Sequence, residues 1–313
     1  MKKQTVGVDI GGTKTAVVLS DDLGSISKKE TFATSDYKNS IKNILQIIKS
    51  FSIMQEFVIG VSCGGPLDSD KGIIQSPPNL PGWDNIPIVD LISKATQSKT
   101  FLMNDANAGA LAEWYFGSAK GYKNIIFLTF GTGMGGGLIL NGKLYEGATG
   151  DAGEIGHLRM NDNGPTGYGK EGSFEGFCSG GGIAQLGQKK ARELNGKVAF
   201  NNNNISAITT KDIADAAQKG DLIALQIFEE SAEYLGKGLA ILIDLLNPEI
   251  IVLGSLFIRC ENLFSSKMYP ILKKECLPRN LKACKIVPAG LSENIGDMAA
   301  IAVAIYNEHN EGR

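Results

Sequence analysis

The residues of this sequence that could do chemistry fall into polar clusters and glycine-rich turns. The run MNDANAG (103–109) places Asn104, Asp105 and Asn107 at a strand-to-helix junction. One of the three would serve as an N-cap, which Asn and Asp favour, but together they exceed what capping needs. GDAGEIGH (150–157) sets Glu154 and His157 three residues apart behind glycines, and Glu175 adds a carboxylate. SPPNLPGWDNIP (76–87) is stiffened by proline and carries Asn79. Asn79, Asn104, Asp105, Glu154, His157 and Glu175 form the kind of set that a hydroxyl-rich ligand requires, since each buried sugar hydroxyl wants a donor and an acceptor. The plainer alternative is a rigid loop at Asn79 and a structural histidine at 157.

The glycine turns suggest a second kind of ligand. GTGMGG (131–136) fits G-x-G-x-x-G, but Gly-Leu-Ile-Leu and Asn-Gly follow it, a strand and a turn, where a dinucleotide fold needs a helix. A Walker loop is absent. What is left is a pair of hairpin turns with hydroxyl or ammonium neighbours, Gly11, Gly12, Thr13, Lys14 and Thr15 in one, Thr129, Gly131, Thr132 and Gly133 in the other. Backbone without Cβ atoms can approach an anion closely and aim N–H groups at it, so two such turns facing one cleft could grip a triphosphate. Glycine needed only for positive φ is the competing explanation. Asp9, just before the first turn, suits an outer-shell ligand of a Mg²⁺ that accompanies such phosphates.

These residues need elements to position them. TVGVDIGGTKTAVVLSDDLGSI (5–26) and NIIFLTFGTGMGGGLILNGKL (124–144) share one pattern, an apolar run, a glycine turn and a second apolar run, which predicts two β-hairpins in two related halves. Ile41, Ile44, Leu45, Ile48 and Phe51 recur at helical spacing behind a cap at Ser35 or Asp36. A strand is expected at FVIGVS, a helix at ANAGALAEWYF, two helices broken near Gly220, a buried strand at EIIVLGS and a closing helix at GDMAAIAVAIYNEH. FNNNNIS (200–206) reads as a surface loop. Strands alternating with helices make an α/β protein.

Composition narrows the class. The length of 313 residues suits two domains, and two lobes imply a cleft. A net charge of −2 without basic runs leaves no footprint for nucleic acid or anionic membrane, so the expected partners are small molecules. Cys63, Cys178, Cys260, Cys276 and Cys284 show no CxxC pair, which argues against a disulfide framework and fits a reducing cytoplasm. Met1-Lys2-Lys3 leads at once into a short strand-like run interrupted by Asp9, too short for a signal peptide, and no stretch approaches the roughly 18 apolar residues of a membrane span.

In family order and spacing, DIGGTKTA, SPPNLPGW, NDANAGALAE, GTGMGGGLILNGKLYEGATGDAGEIGH and NPEIIVLG resemble the ROK family of sugar kinases and sugar-responsive repressors, over about residues 5 to 305. The resemblance implies a two-domain α/β fold of the actin-like (hexokinase/Hsp70-like ATPase) kind with a cleft between the lobes. A small domain, 1–117 completed by helix 296–313, would hold the first phosphate turn and the catalytic residue. A large domain, 118–295, would hold the second turn and the sugar and adenine contacts. It further implies that Asp105 is the catalytic base, that Gly65, Asn79, Asn104, Glu154, His157 and Glu175 bind sugar, and that Gly11–Thr13 and Gly131–Gly133 bind phosphate. Gly254 and Ser255 would lie beside adenine, Ser255 standing where a second glycine is common. The implied function is ATP- and Mg²⁺-dependent phosphorylation of a hexose 6-hydroxyl, foremost of glucose, in a homodimer. N-acetylglucosamine, N-acetylmannosamine, mannose and fructose are alternative substrates, and a sugar-sensing repressor or a non-catalytic sugar binder are alternative functions. Only eight residues precede Asp9, which disfavours the repressor, whose helix-turn-helix would stand there.

One departure stands out. Most family members carry a zinc clasp, C-x-C-G-x-x-G-C-x-E, where this chain reads TGYGKEGSFE (166–175), with Thr166, Tyr168 and Ser173 in place of the cysteines. Those side chains do not replace thiolates, so no structural zinc is expected. Hydrogen bonds and packing of Tyr168 and Phe174 are expected to hold the segment instead.

Overall fold

The structure is a computed structural model that describes residues 4–53, 56–201 and 203–310. Met1-Lys2-Lys3, Asn202 of the polar loop and residues 311–313 of the expected closing helix lie outside the described residues. The chain divides into two compact units, one of Met1–Gly121, Leu144–Asp151 and Gly290–Arg313, the other of Tyr122–Lys143 and Ala152–Ala289. Sequence resemblance predicts a division after residue 117 and before 296; by compactness the first unit also takes in Leu144–Asp151, which no composition change marks.

In the first unit, β1 (Gln4–Ile10) turns into β2 (Lys14–Asp21) and then β3 (Ile26–Ala33), followed by α1 (Tyr37–Ser50), β4 (Phe57–Cys63), the short pair β5 (Leu67–Asp68) and β6 (Ile73–Ile74), α2 (Ile88–Thr96), β7 (Thr100–Asn104) and α3 (Asp105–Tyr115). The sheet order is β3-β2-β1-β4-β7, with β1–β2 antiparallel and β1–β4 and β4–β7 parallel. Alternation along β1 sorts its faces. Val6, Val8 and Ile10 join Ile41, Ile44 and Ile48 of α1 and Ile88 and Ile92 of α2 in one core. Gly7 points the other way, where a Cβ would stand 3.1 Å from the Ala300 Cβ, and one on Gly60 would collide with the Ala300 carbonyl. The closing helix, Ile295–Asn310, therefore lies directly on the sheet, and its alanines at 299, 300, 302 and 304 are buried. Asp36, not Ser35, caps α1, accepting from the Asn39 N–H.

Glu113 of α3 is fully buried, and its carboxylate accepts N–H groups from Ser118 (2.7 Å), Gly290 (3.1 Å) and Leu291 (3.0 Å). It ties the end of α3 to the point where the chain re-enters this unit.

The second unit contains β8 (Ile125–Leu128), β9 (Gly136–Leu140), the first residue of β10 (Lys143–Leu144), β11 (Thr166–Gly167), β12 (Lys170–Glu171), α4 (Phe174–Cys178), α5 (Gly180–Glu193), α6 (Thr210–Gln218), α7 (Leu222–Leu246), β13 (Ile250–Leu253), α8 (Leu256–Glu275), α9 (Pro278–Ala283) and β14 (Lys285–Pro288). The closing helix is α10. The larger sheet runs β10-β9-β8-β13-β14, with β8–β9 antiparallel and β8–β13 and β13–β14 parallel. It has the same plan as the first sheet, a hairpin extended by two parallel strands, so the expectation of related halves holds. Helices α6 and α7 break at Gly220, between a Thr209–Asp212 capping box and an Asp221 cap. Phe130, Phe228, Phe257 and Phe264 fill the core around α7 and α8. No helix among the described residues is long and apolar enough to cross a membrane.

Candidate functional site

In the first unit the parallel strands β1, β4 and β7 end side by side, with Ile10 opposite Cys63 and Cys63 opposite Asn104. Ligands of parallel sheets bind beyond such carboxyl ends. The first turn, residues 11–14, is closed by Gly11 N–H donating to the Lys14 carbonyl at 3.0 Å and is braced from outside by Thr34, whose hydroxyl donates to the Gly11 carbonyl (2.7 Å) and whose N–H donates to the Thr13 carbonyl (3.0 Å). Thr34 was not singled out from the sequence, since a threonine in a polar strand end carries no distinguishing pattern. Gly11 and Gly12 do not have positive φ. Gly12 is glycine because a Cβ there would lie 2.6 Å from the Asn79 carbonyl, so the turn and the Asn79 loop touch.

That loop is anchored by buried Leu80 and Trp83, the indole N–H donating to the Ser35 carbonyl at 3.0 Å, and it leaves Asn79 exposed. Around Gly64 the polar residues meet: the Asn79 Nδ2 and Oδ1 stand 3.6 and 3.8 Å, and the Asp105 Oδ2 3.8 Å, from where a Gly64 Cβ would be. The Asn104 Nδ2 is 3.3 Å from the corresponding point on Gly65. Asn104 is the N-cap of α3, accepting the Ala106 N–H at 2.9 Å, which releases Asp105 from that duty. Gly64, Gly65, Asn79, Asn104 and Asp105 thus converge. Asn107, by contrast, is buried within α3 with its Oδ1 unpartnered.

Electrostatics single out the same end of the sheet. Burial pushes the Asp9 carboxyl up to about 6, reinforced by Asp105 and Asp297 and opposed by Lys14 and Lys29. Asp105 is raised too, by the protein packed around it, although its surface remains open to solvent; N–H groups of Ala106 and Asp105 pull the other way. Asp297, in the first turn of α10, is buried and paired with Lys29 of β3, and a Cβ on Gly296 would collide with the Asp9 carboxylate. Lys29 and Asp297 escaped the sequence reading because one sits in a polar strand and the other reads as an ordinary first-turn acid.

In the second unit the turn between β8 and β9 is held by Gly131 N–H to Gly133 carbonyl (2.9 Å), Thr129 N–H to Gly135 carbonyl (3.0 Å) and Gly135 N–H to Thr129 Oγ1 (3.0 Å). The N–H groups of Gly180 and Gly181 fasten it from outside, donating to the Gly131 and Thr132 carbonyls at 2.8 and 3.0 Å. No glycine from 131 to 136 has positive φ, which removes the conformational explanation for them. Gly133 and Gly136 are crowded by Glu175 and by Ile155 with Gly153, but at Gly131 the nearest atom to a Cβ would be the Ser255 Oγ, 3.9 Å off. Neither φ nor packing demands glycine at 131; bare backbone is what that position offers. Gly254 is packed under the Thr129 carbonyl, 2.7 Å from its would-be Cβ. Ser255 follows at φ 36°, a region L side chains rarely adopt, which accounts physically for a glycine preference there.

Glu154 stands at the N-cap of the 3-10 turn Ile155–His157 and His157 ends it, both exposed, and the His157 carbonyl accepts from the Lys170 ammonium at 2.6 Å. The stretch 166–176 is a β-hairpin followed by α4. Thr166–Gly167 pairs with Lys170–Glu171 across Tyr168 and Gly169, whose φ values of 44° and 76° fit a two-residue primed turn. The expectation for Tyr168 is corrected: it points to solvent, 71% exposed, because the turn apex leaves it nothing to pack on. Phe174 is fully buried and fills the space vacated by Gly238. Ser173 is buried and caps α4, accepting from the Gly176 N–H at 3.1 Å. Gln185 clasps Thr166 by both backbone groups, at 2.9 and 2.8 Å. Among the described residues no group of three or more His, Cys, Asp or Glu is placed to hold a metal ion.

The ROK family pattern matches residues 5–306. The chain belongs to the ROK family. It is 30% identical to a glucokinase of Thermotoga maritima over 308 residues, covering 96% of this chain and 97% of that protein. A xylose repressor of Caldicellulosiruptor bescii is 26% identical, covering 96% and 77%. Among solved structures, a ROK hexokinase from Thermus thermophilus superposes with a TM-score of 0.83 at 28% identity (99% and 100% covered). A Streptomyces griseus ROK glucokinase in complex with glucose and AMPPNP superposes with a TM-score of 0.77 at 29% identity (96% and 99% covered). The ROK kinase fold, of the actin-like ATPase kind, is thus that of this chain.

Proposed function

We propose that this ROK protein is an ATP-dependent hexose kinase that phosphorylates the 6-hydroxyl of glucose, giving glucose 6-phosphate and ADP. The observation that carries the reading is the meeting of the Asp105 carboxylate, the Asn79 amide and the Asn104 amide around Gly64 and Gly65, beside a glycine turn headed by Asp9. The glucokinase relatives support glucose as the substrate.

In this reading Asn79 and Asn104 orient the sugar, and Glu154, His157 and Glu175 are further hydroxyl partners. Asp105 accepts the proton of the 6-hydroxyl as its oxygen attacks the γ-phosphorus and the bond to the ADP leaving oxygen breaks. A carboxyl raised by its surroundings is the better base. Phosphoryl transfer asks the protein mainly for positioning and charge stabilisation. The backbone at 11–13 and at 131–133 would take the phosphates, and Gly254 and Ser255 the adenine side. The bare backbone at Gly131 and the hard oxygen donor of Asp9 fit ATP with Mg²⁺, which keeps waters and needs only one or two carboxylates. When bound, Mg²⁺ supplies neutralisation of phosphate charge.

The test is ADP release across glucose, mannose, fructose, N-acetylglucosamine and N-acetylmannosamine. Glucose is expected to give the highest kcat/KM, and Asp105→Asn to lower kcat by roughly 10²–10⁴-fold. Equal inactivity of both proteins on every sugar would overturn the kinase reading. The xylose repressor relatives favour a second reading, sugar sensing without transfer; sugar-dependent DNA retention in a gel shift, with no ADP released, would establish it.

A further inference from the structure

Glu175 makes a contact that sugar binding alone does not call for. Its Oε2 accepts the Met134 N–H at 2.9 Å, inside the turn whose residues 131–133 would take the phosphates. The surrounding residues are shaped to allow it. A Cβ on Gly133 would stand 2.8 Å from that same oxygen, one on Gly167 2.7 Å from the Glu175 Cβ, and one on Gly156 3.2 Å from it. Glycines of three separate segments therefore vacate the room that one side chain occupies. Its backbone is fixed as well, by the Ser173 cap on one side and buried Phe174 on the other. The room those glycines leave is taken by the stem, which ends on the turn.

We propose that Glu175 is a positioning residue for the nucleotide turn, as well as a sugar partner, and that it links occupancy of the two ligands. The inference rests on the kinase reading above. A carboxylate has two oxygens and about four acceptor positions. One oxygen holds the Met134 N–H, so the group can accept a sugar hydroxyl without releasing the turn. Sugar binding then steadies the carboxylate that steadies the turn, and by linkage nucleotide binding favours sugar to the same degree.

The measurement that separates this from a plain sugar contact is made without sugar. AMPPNP with Mg²⁺ is titrated calorimetrically into wild type, Glu175→Ala and Glu175→Gln, and amide exchange is followed across 129–137. Loss of one charge-assisted bond predicts roughly tenfold weaker AMPPNP binding and faster exchange of that segment in Glu175→Ala. Glu175→Gln, whose amide oxygen can still accept from Met134, is expected to recover most of both. If Glu175→Ala binds AMPPNP as wild type does, Glu175 serves sugar alone; the linkage is then wrong and the kinase reading stands. If wild type does not bind AMPPNP, both fall. Should Glu175→Ala fail to fold, Glu175→Asp decides, its side chain being one methylene too short to hold the Met134 N–H: roughly tenfold weaker AMPPNP binding with faster exchange across 129–137 supports the proposal, and wild-type affinity and exchange overturn it.

Discussion

Asp9 shows what the site costs the fold. Its carboxyl is raised to about 6 by burial and by two neighbouring acids. Between its ordinary value of 3.8 and about 6 the folded chain binds more proton than the unfolded one, so stability rises as pH falls through that window and the full penalty is felt above it. Asp9→Asn removes the penalty. In magnesium-free buffer at pH 8 the variant is expected to be more stable by roughly 3 kcal/mol, a gain that shrinks through pH 6 and is nearly gone at pH 4. Urea unfolding at the three pH values reads it, and a gain independent of pH would rule out the buried charge as its source. Single residues were legible in the sequence when they sat in a dense motif, as Asp105 and Asn79 did. Lys29, Asp297 and Thr34 were not, since each matters only through a neighbour far away in the chain.

At the level of elements, legibility followed length and pattern. The glycine hairpins were plain from their pattern, α3 from propensity and the α6–α7 break from Gly220, whereas β3, with Lys28, Lys29 and Glu30 among its exposed residues, is a charged edge strand without an apolar alternation. The helix α8 carries Pro270 inside and a non-helical Cys260, either of which would end it on paper. The hairpin at 166–171 has strands of two residues, too short for any period to register. Its shape depends on hydrogen bonds where relatives by resemblance would use thiolates, and Ser173 stands at one such position. Ser173→Ala is expected to destabilise the second unit by about 1 kcal/mol, the usual loss of an N-cap. Thermal unfolding would show it, and an unchanged midpoint would mean that Phe174 and Gln185 suffice.

Over the whole molecule the least legible fact was which segments share a unit, because Leu144–Asp151 and Gly290–Arg313 join the first by contacts remote in sequence. Glu113 secures one of those returns with three N–H bonds. Glu113→Ala removes the acceptor of all three donors and leaves a cavity where the buried carboxylate sat, and should cost about 2 kcal/mol; Glu113→Gln, keeping one acceptor oxygen, should cost less, and equal unfolding midpoints for the two would refute the carboxylate's role. The alanine-rich helix seated on Gly7 and Gly60 has a bearing on synthesis. A ribosome that has finished β7 must still translate about 190 residues before that helix is made, roughly 10–40 s at ordinary elongation rates. For that interval the nascent sheet shows an uncovered glycine groove to chaperones and to other chains, while Ala152–Ala289 can already be collapsing.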